Sequence, residues 1–466
     1  MSKDYDVIVV GSGAAGLAAA VAAADAGASV LLVEADKRVG GSSRLSGGHF
    51  YAAGTSTQRE AGVDDDTADA MFEHYMTLNQ WLVEPSVVRR YCDLSAPTFE
   101  WLKGQGVSFS PQAVYRSGVG SVARGHPPEG SGEAVVNILD ARRSSLGVDV
   151  VLDARVDGLL LDDAGRVHGI RIGDDEATCG AVVMATGGFG ANPEMLAEYY
   201  PAAAANGDWS WYIGTEMARG DGIRLGQDAG AAIDGHNRGL LLVTPGFSRD
   251  LEVLLPGWLV LINEQGRRFT DETAPYTVLA GLIQHQTGKV YAVFDEAARR
   301  GAKRNPASQA YWVDEVLEQK ADAGRILRAD SLDELAAAAG IHADGFKGTV
   351  ARYNADCEKG EDTAFFKSPE TGMRAIEEGP FYAAEVRPAI ICWTGTGLRI
   401  DAEARVLRTD EHPIPGLFAA GELVGSLHGD RYIGGGGSFG PCIVFGKLAG
   451  ENAASYTLTQ AWAQDR

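Results

Sequence analysis

The residues whose spacing most plainly implies chemistry are Gly11-Ser12-Gly13-Ala14-Ala15-Gly16, followed by a carboxylate at Glu34. Glycines in this G-x-G-x-x-G pattern allow a tight turn, let a pyrophosphate approach the backbone, and let the next helix pack on the preceding strand. The helix N–H groups, at Ala14 and Ala15 onward, and the positive dipole end then hold the phosphates. Glu34 closes the next β-branched run, where a carboxylate can take both ribose hydroxyls and disfavours a 2′-phosphate. This is the chemistry of a bound dinucleotide.

The elements that must position these residues are legible around them. Tyr5 to Val10 is a short apolar run ended by glycine, as expected of a buried parallel strand. Ala14 to Ala26 is Ala-rich with Leu17 and Val21 at helical spacing, Gly27 is a helix stop, and Ala28 to Glu34 is a second strand. Together they form a βαβ unit. Later come apolar runs at Val150-Val151-Leu152, Gly158 to Leu161 and Val167 to Ile172, with Asp162-Asp163-Ala164-Gly165 as a hairpin turn, then a buried strand at Ala181 to Ala185. From about Arg238 to Pro388 the texture changes to more aromatic residues, mixed charge and helical stretches such as Ser331 to Ala339. Strand–glycine–helix texture returns from Gly397 to Gly450. The expected architecture is α/β: a Rossmann-like domain built from residues 1–237 and 391–466, with an inserted α+β substrate or capping domain at 238–390.

Composition narrows the function. The chain has 466 residues, 45% apolar and 22% charged, too many for one core and ordinary for a globular protein. Its 60 glycines gather in short clusters, which suits tight turns and ligand cradles. A formal net charge of −22 argues against nucleic acid and anionic membrane surfaces as partners. Five scattered cysteines without CxxC spacing supply neither a disulfide framework nor a zinc or iron–sulfur site, and no metal is expected. Met1 to Asp6 is polar and the apolar run after it stops at Gly11, so neither a signal peptide nor stable membrane insertion is expected, and the reading is cytoplasmic.

Three further segments carry a resemblance. Gly40-Gly41-Ser42-Ser43-Arg44-Leu45-Ser46-Gly47-Gly48, Ala185-Thr186-Gly187-Gly188-Phe189, and Gly416-Leu417-Phe418-Ala419-Ala420-Gly421-Glu422 with Gly434 to Phe439 and Gly446 resemble flavin elements of the fumarate reductase/succinate dehydrogenase flavoprotein superfamily. The match runs in order over nearly the whole chain. It implies an FAD cofactor contacted by Gly41, Ser42, Ser46, Gly47 and Gly48 in a second flavin loop. It adds Val156, Ala185, Thr186 and Gly187, and then Gly421, Glu422, Gly437, Ser438 and Phe439. In that family the Glu takes ribityl hydroxyls, and a helix N-terminus faces the flavin pyrimidine edge, where the reduced ring carries negative charge. Members with covalent FAD use a His in the second loop. No His occurs between Gly40 and Gly48, and His49 falls just beyond, so non-covalent FAD is implied.

On the substrate side the chain departs from the dicarboxylate-handling members. Arg268-Phe269-Thr270-Asp271-Glu272 resembles their R-F-x-N-E motif, but Tyr276 stands where they carry the proton-donor Arg. Cys392-Trp393 precedes Thr394-Gly395 where they carry a His. In His428-Gly429-Asp430-Arg431-Tyr432, Tyr432 stands at the substrate-binding Arg. A substrate dianion without cationic partners would cost several kcal/mol, so fumarate and succinate are disfavoured. The pattern resembles the 3-ketosteroid dehydrogenases, whose Glu-x-x-Pro-Tyr and Tyr-x-x-x-Gly segments match Glu272 to Tyr276 and Tyr432 to Gly436. That resemblance implies that the Tyr432 hydroxyl and the Gly436 N–H bind a ketone oxygen, and that Tyr276 takes the α-proton while the β-hydride leaves to flavin N5. Tyr115 stands where the Δ1-type enzymes keep another active-site tyrosine, although its flanks alone read as a surface position. His126, in Arg124-Gly125-His126, reads either as a flavin or substrate partner or as a loop His satisfied by backbone.

The implied activity is desaturation of a steroid or other alicyclic ketone, with an external electron acceptor. The alternatives are an ene reductase of fumarate-reductase type and a flavin-bearing electron-transfer subunit.

Overall fold

The structure is a computed structural model that describes residues 4–251, 254–303, 311–425, 427–429 and 431–464. Residues 1–3 and Asp430, which belong to segments singled out above, lie outside the described residues. The chain forms two compact units: Met1–Ala205 with Tyr212–Leu240 and Cys392–Arg466, and Asn206–Trp211 with Leu241–Ile391.

The first unit is α/β. Strand β1 (Tyr5–Val10), helix α1 (Ala14–Asp25) and strand β2 (Val30–Val33) form the opening βαβ unit. β1 pairs in parallel with β2 through Val7–Val30 and, on its other side, with Asp175–Met184 through Val7–Ala181. The sheet continues outward in parallel to Pro413–Ala419 on one side and Asp149–Val151 on the other. Chain order reverses about β1, so its carboxyl end is a topological switch point, where α/β sheets bind ligands.

Every residue of α1 from Ala14 to Ala23 is buried. Its alanines let the closing helix, Phe439–Gln464, approach unusually closely. A Cβ on Gly446 or Gly450 would lie 2.2 Å from the carbonyl oxygen of Ala15 or Ala19. Asp149–Val151 is an edge strand, with Val151 43% exposed. The Asp162–Gly165 turn joins the antiparallel pair Gly158–Leu161 and Val167–Ile172, as its sequence implies.

The second unit is α+β. Val260–Asn263 pairs antiparallel with Val290–Asp295, which pairs antiparallel with Phe381–Thr394. Helices Leu332–Ala339 and Ala343–Lys359 cover the sheet, with Val260, Ile262, Val293, Leu335, Phe346 and Tyr353 in one buried cluster. Ser331 caps the first of these helices by accepting from the Glu334 N–H.

Just before Tyr276 in the chain, Arg268 and Glu272 belong to a buried charge network. Arg268 donates to both oxygens of Glu272 at 2.9 Å and to both of Asp362 at 3.2 and 2.9 Å. Lys367 donates to Glu272 at 2.8 Å. The R-F-x-N-E-like motif is therefore a structural anchor here. It fixes the chain just before Pro275, the N-cap of helix Tyr276–Gln284.

Among the described residues no helix is long and apolar enough to cross a membrane, and no group of His, Cys, Asp or Glu could hold a metal ion.

Candidate flavin and substrate cleft

At the carboxyl end of β1 a cleft of about 850 Å³ opens in the first unit. Gly11, Gly13, Ala14, Ala15 and Glu34 line it, together with Gly41, Ser42, Val156, Ala185, Thr186 and Gly187. Gly11 makes the turn with φ +100°, and a Cβ there would lie 2.3 Å from the Ala185 carbonyl oxygen. A Cβ on Gly13 would meet only the Ser43 hydroxyl, at 3.6 Å, so this glycine borders open space. Gly16 does not line the cleft. It is needed because a Cβ would fall 1.8 Å from the Gly11 carbonyl oxygen, so its role is packing of helix on turn.

The helix N-terminus offers fewer free donors than its sequence suggests. The Ala14 N–H is taken by the Ser43 hydroxyl at 2.9 Å, which ties the second loop to α1 and leaves the Ala15 N–H as the next donor. Glu34 is likewise partly committed. Its Oε2 accepts the Ser12 N–H at 2.8 Å and the Ser12 hydroxyl, and its Oε1 accepts the Asp36 N–H at 2.8 Å. With two lone pairs per oxygen, one acceptor position remains on Oε1, so one ribose hydroxyl fits rather than two.

A second cleft of about 710 Å³ shares Ser42, Ser43, Gly421, Glu422 and Cys442 with the first and continues it. Ser46, Ser438 and Phe439 line it, as do Cys392, Trp393 and His428. Glu422 is held from several sides. Its Oε1 accepts the Thr394 N–H at 2.9 Å and the Thr394 hydroxyl at 3.0 Å, and its Oε2 accepts the Tyr212 hydroxyl at 3.3 Å. Burial raises the carboxyl above its ordinary range, against these hydrogen bonds. The Tyr212 hydroxyl also lies 3.2 Å from Ser42 Oγ, so this tyrosine joins the second loop to the C-terminal element.

Among the described residues, no Lys or Arg lines the second cleft, and Glu422 is the one acidic residue that does. Burial pushes the Cys442 thiol up to about 12 and Cys392 higher still, so both stay neutral. It lowers His428 to about 4, leaving a neutral imidazole at pH 7.

Other sequence-assigned residues sit elsewhere. Gly47, Gly48 and Gly437 are not in the lining of either cleft. A Cβ on Gly48 would meet the Gly132 backbone at 2.6 Å, and one on Gly437 would meet Ile433 at 2.4 Å, so close packing explains both. Tyr432 is buried, and its hydroxyl accepts the Ser438 N–H at 3.0 Å, with Ser438 Oγ at 3.2 Å. Its ring lies 6.2 Å from Trp393, and it does not itself line the cleft. Gly436 carries φ +96° against the backbone of Phe50 and Tyr51.

Tyr115 is not the surface tyrosine its flanks suggest. It is half-buried, and its hydroxyl lies 2.5 Å from His49 Nδ1, at the place a Gly435 Cβ would need. His126 is fully buried, with Nδ1 near the carbonyls of Phe50 and Arg124 at 3.1 and 2.8 Å and Nε2 2.9 Å from the Thr55 hydroxyl. Of its two readings, the backbone-satisfied one holds. Tyr276 belongs to the second unit, as the first residue of its helix, and is half-buried.

The FAD binding domain family matches residues 6–438 of this sequence. The chain belongs to that family. The cytochrome-type fumarate reductase of Shewanella frigidimarina is 33% identical over 97% of this chain and 77% of its own length. The vinyl phenol reductase of Lactiplantibacillus plantarum is 30% identical over 98% of both chains. Among solved structures, the 3-ketosteroid-Δ4-(5α)-dehydrogenase of Rhodococcus jostii RHA1, in complex with 4-androstene-3,17-dione, is 26% identical, with a TM-score of 0.78 over 97% of this chain and 98% of that one. This FAD-binding family member is an FAD-dependent oxidoreductase of the fumarate reductase family that acts on CH–CH groups.

The residues present fit FAD. Thr186 Oγ1 is buried in the wall of the first cleft without a hydrogen-bond partner, as expected of a group awaiting a ligand. Beside it, Gly187 has φ +76° and nothing within 4 Å of its Cβ position. Ser43, Tyr212, Trp393, Thr394 and His428 were given no role by the sequence. Ser43 and Trp393 stand inside or beside quoted motifs, but their contacts depend on partners far away in the chain.

Proposed function

We propose that this flavoprotein transfers a hydride between FAD and the carbon β to the carbonyl of an uncharged ketone, in the desaturating direction. The observation that carries the reading is the part of the second cleft that the FAD contacts do not claim, where Cys392, Trp393 and His428 stand and, among the described residues, no Lys or Arg lines the wall. A dicarboxylate there would find no compensating cation, whereas a neutral alicyclic ketone needs none. FAD supplies the hydride acceptor. The protein supplies a base for the α-proton, which we assign to Tyr276, and donors for the oxygen on which enolate charge develops. Electrons leave to an external acceptor. In this reading FAD is held non-covalently, since no His occurs between Gly40 and Gly48.

A second reading, reduction of a neutral conjugated alkene by the same groups in reverse, is favoured by the full-length likeness to a vinyl phenol reductase. Anaerobic mixing of the FAD-loaded protein with 4-androstene-3,17-dione and with cyclohexanone tests the first. Bleaching of the flavin in the wild type and its loss in Tyr276→Phe, with FAD content unchanged, is the expected result. Bleaching in both removes Tyr276 from the mechanism; bleaching in neither removes the ketone.

A further inference from the structure

We propose that the Trp393 indole N–H and the His428 imidazole together hold the substrate's carbonyl oxygen. This rests on the ketone reading above and replaces the pair that the resemblance implies, Tyr432 and Gly436. Trp393 is 5% exposed and lines the second cleft, and its Nε1 is buried without a hydrogen-bond partner. Native structures pair nearly all buried N–H groups, so an orphaned donor in the wall of a ligand cleft points to an acceptor on the ligand.

His428 lies beside it, with ring centroids 4.4 Å apart, and lines the same cleft. Its Nδ1 is 3.3 Å from the hydroxyl of fully buried Tyr75, which also lies 3.3 Å from the Leu427 carbonyl oxygen. Nε2 makes no hydrogen bond among the described residues. Tyr75 has one proton for these two acceptors. The proposed oxygen site requires that it goes to Nδ1 rather than to the Leu427 carbonyl, which puts the ring proton on Nε2 and makes His428 a second neutral donor for the cleft. Burial keeps this imidazole uncharged at pH 7, which suits a ketone oxygen and not a carboxylate.

The pair has the form that enolate formation needs. As the α-proton leaves to a base, charge moves onto the carbonyl oxygen, and two preorganised N–H groups stabilise it without reorganising. Tyr432 does not line the cleft, and its hydroxyl accepts the Ser438 N–H at 3.0 Å with Ser438 Oγ at 3.2 Å. Tyr75 is a positioning residue, acting through the tautomer of His428.

The test uses FAD-loaded Trp393→Phe, His428→Phe and His428→Gln, the last keeping an N–H near the Nε2 position. Three quantities are read: the FAD dissociation constant by flavin fluorescence, the affinity for 4-nitrophenolate as an enolate mimic, and kcat with 4-androstene-3,17-dione or cyclohexanone. Expected are an FAD affinity within about twofold of wild type, 4-nitrophenolate binding at least tenfold weaker and kcat about 100-fold lower in the two Phe variants, and recovery of most of both losses in His428→Gln. Wild-type 4-nitrophenolate affinity in both Phe variants overturns the proposal. A tenfold loss of FAD affinity with unchanged phenolate binding also overturns it, by assigning these donors to a flavin carbonyl. If no ketone is turned over by the wild type while phenolate binding still falls in the Phe variants, the oxygen site stands and the ketone reading fails. Ketone turnover that survives in both Phe variants does the reverse.

Discussion

Replacing Glu272 by Gln should destabilise the second unit far more than a one-atom change suggests. The Glu272 carboxylate accepts two bonds from Arg268 at 2.9 Å, one from Lys367 at 2.8 Å and one from the Leu261 N–H at 3.0 Å. All four charged members of the network are buried: Arg268 8%, Glu272 0%, Lys367 1% and Asp362 3% exposed. Two cations balance two anions, so Glu272→Gln leaves one net positive charge without a partner and aims an amide NH2 at existing donors. Burial alone would push the Glu272 carboxyl up, but Lys367 and Arg268 outweigh it and hold it below its ordinary range, consistent with a tightly used charge.

Breaking such a pair from one side costs roughly 3–5 kcal/mol. At roughly 2–4 °C per kcal/mol for a domain of this size, the second unit's melting transition should fall by roughly 6–20 °C. Scanning calorimetry of the FAD-loaded protein measures it, with the transitions of the two units resolved separately. Adding Lys367→Met restores neutrality and should recover at least half of the loss. A Glu272→Gln transition within about 1 °C of wild type, or a double variant worse than the single, refutes the claim that charge balance holds this region together.

Tyr276→Phe should keep FAD and the fold and lose turnover by roughly 10²–10⁴-fold, read by steady-state rates against flavin content. Gly188→Ala places a Cβ 2.1 Å from Thr394 Oγ1 and 2.4 Å from Glu422 Oε1, so it should displace the carboxylate and weaken FAD binding at least tenfold in a fluorescence titration. Burial lowers His126 to about 4, with backbone carbonyls opposing the shift. The unfolded chain, with His near 6.5, binds the extra proton first. This residue's contribution is therefore complete above pH 6.5 and is lost as pH falls from 6.5 through 4. A urea-denaturation series over that window should show stability falling with pH, and His126→Asn should flatten it.

What was legible in the sequence was local. Tyr5–Val10 shows its burial as an apolar run cut by a glycine, and Ser331 announces a helix by capping it. The cradle was legible because turn, helix and acidic residue fall within one short βαβ unit. What was not legible depends on distant partners. Tyr212 meets Ser42 and Glu422 across sequence separations of 170 and 210. Gly48 and Gly437 look like ligand glycines, yet other backbone or side chains fill the space a side chain would need. Glu34 showed its charge but not that Ser12 and Asp36 already occupy most of its lone pairs. The resemblance assigns Tyr432 to the ketone oxygen by its offset to Gly436, and the contact of its hydroxyl with Ser438, six residues on, is not visible in that offset.

The most direct measurement is the flavin absorbance of the FAD-loaded protein under anaerobic stopped flow. Oxidised protein is mixed with a cyclic ketone, and photoreduced protein is mixed with fumarate or with 2-cyclohexen-1-one. With no Lys or Arg among the described residues lining the second cleft, ketones should bleach the oxidised flavin, and cyclohexenone should reoxidise the reduced form at least roughly 100-fold faster than fumarate. Rapid reoxidation by fumarate with indifference to every uncharged carbonyl compound would contradict the account.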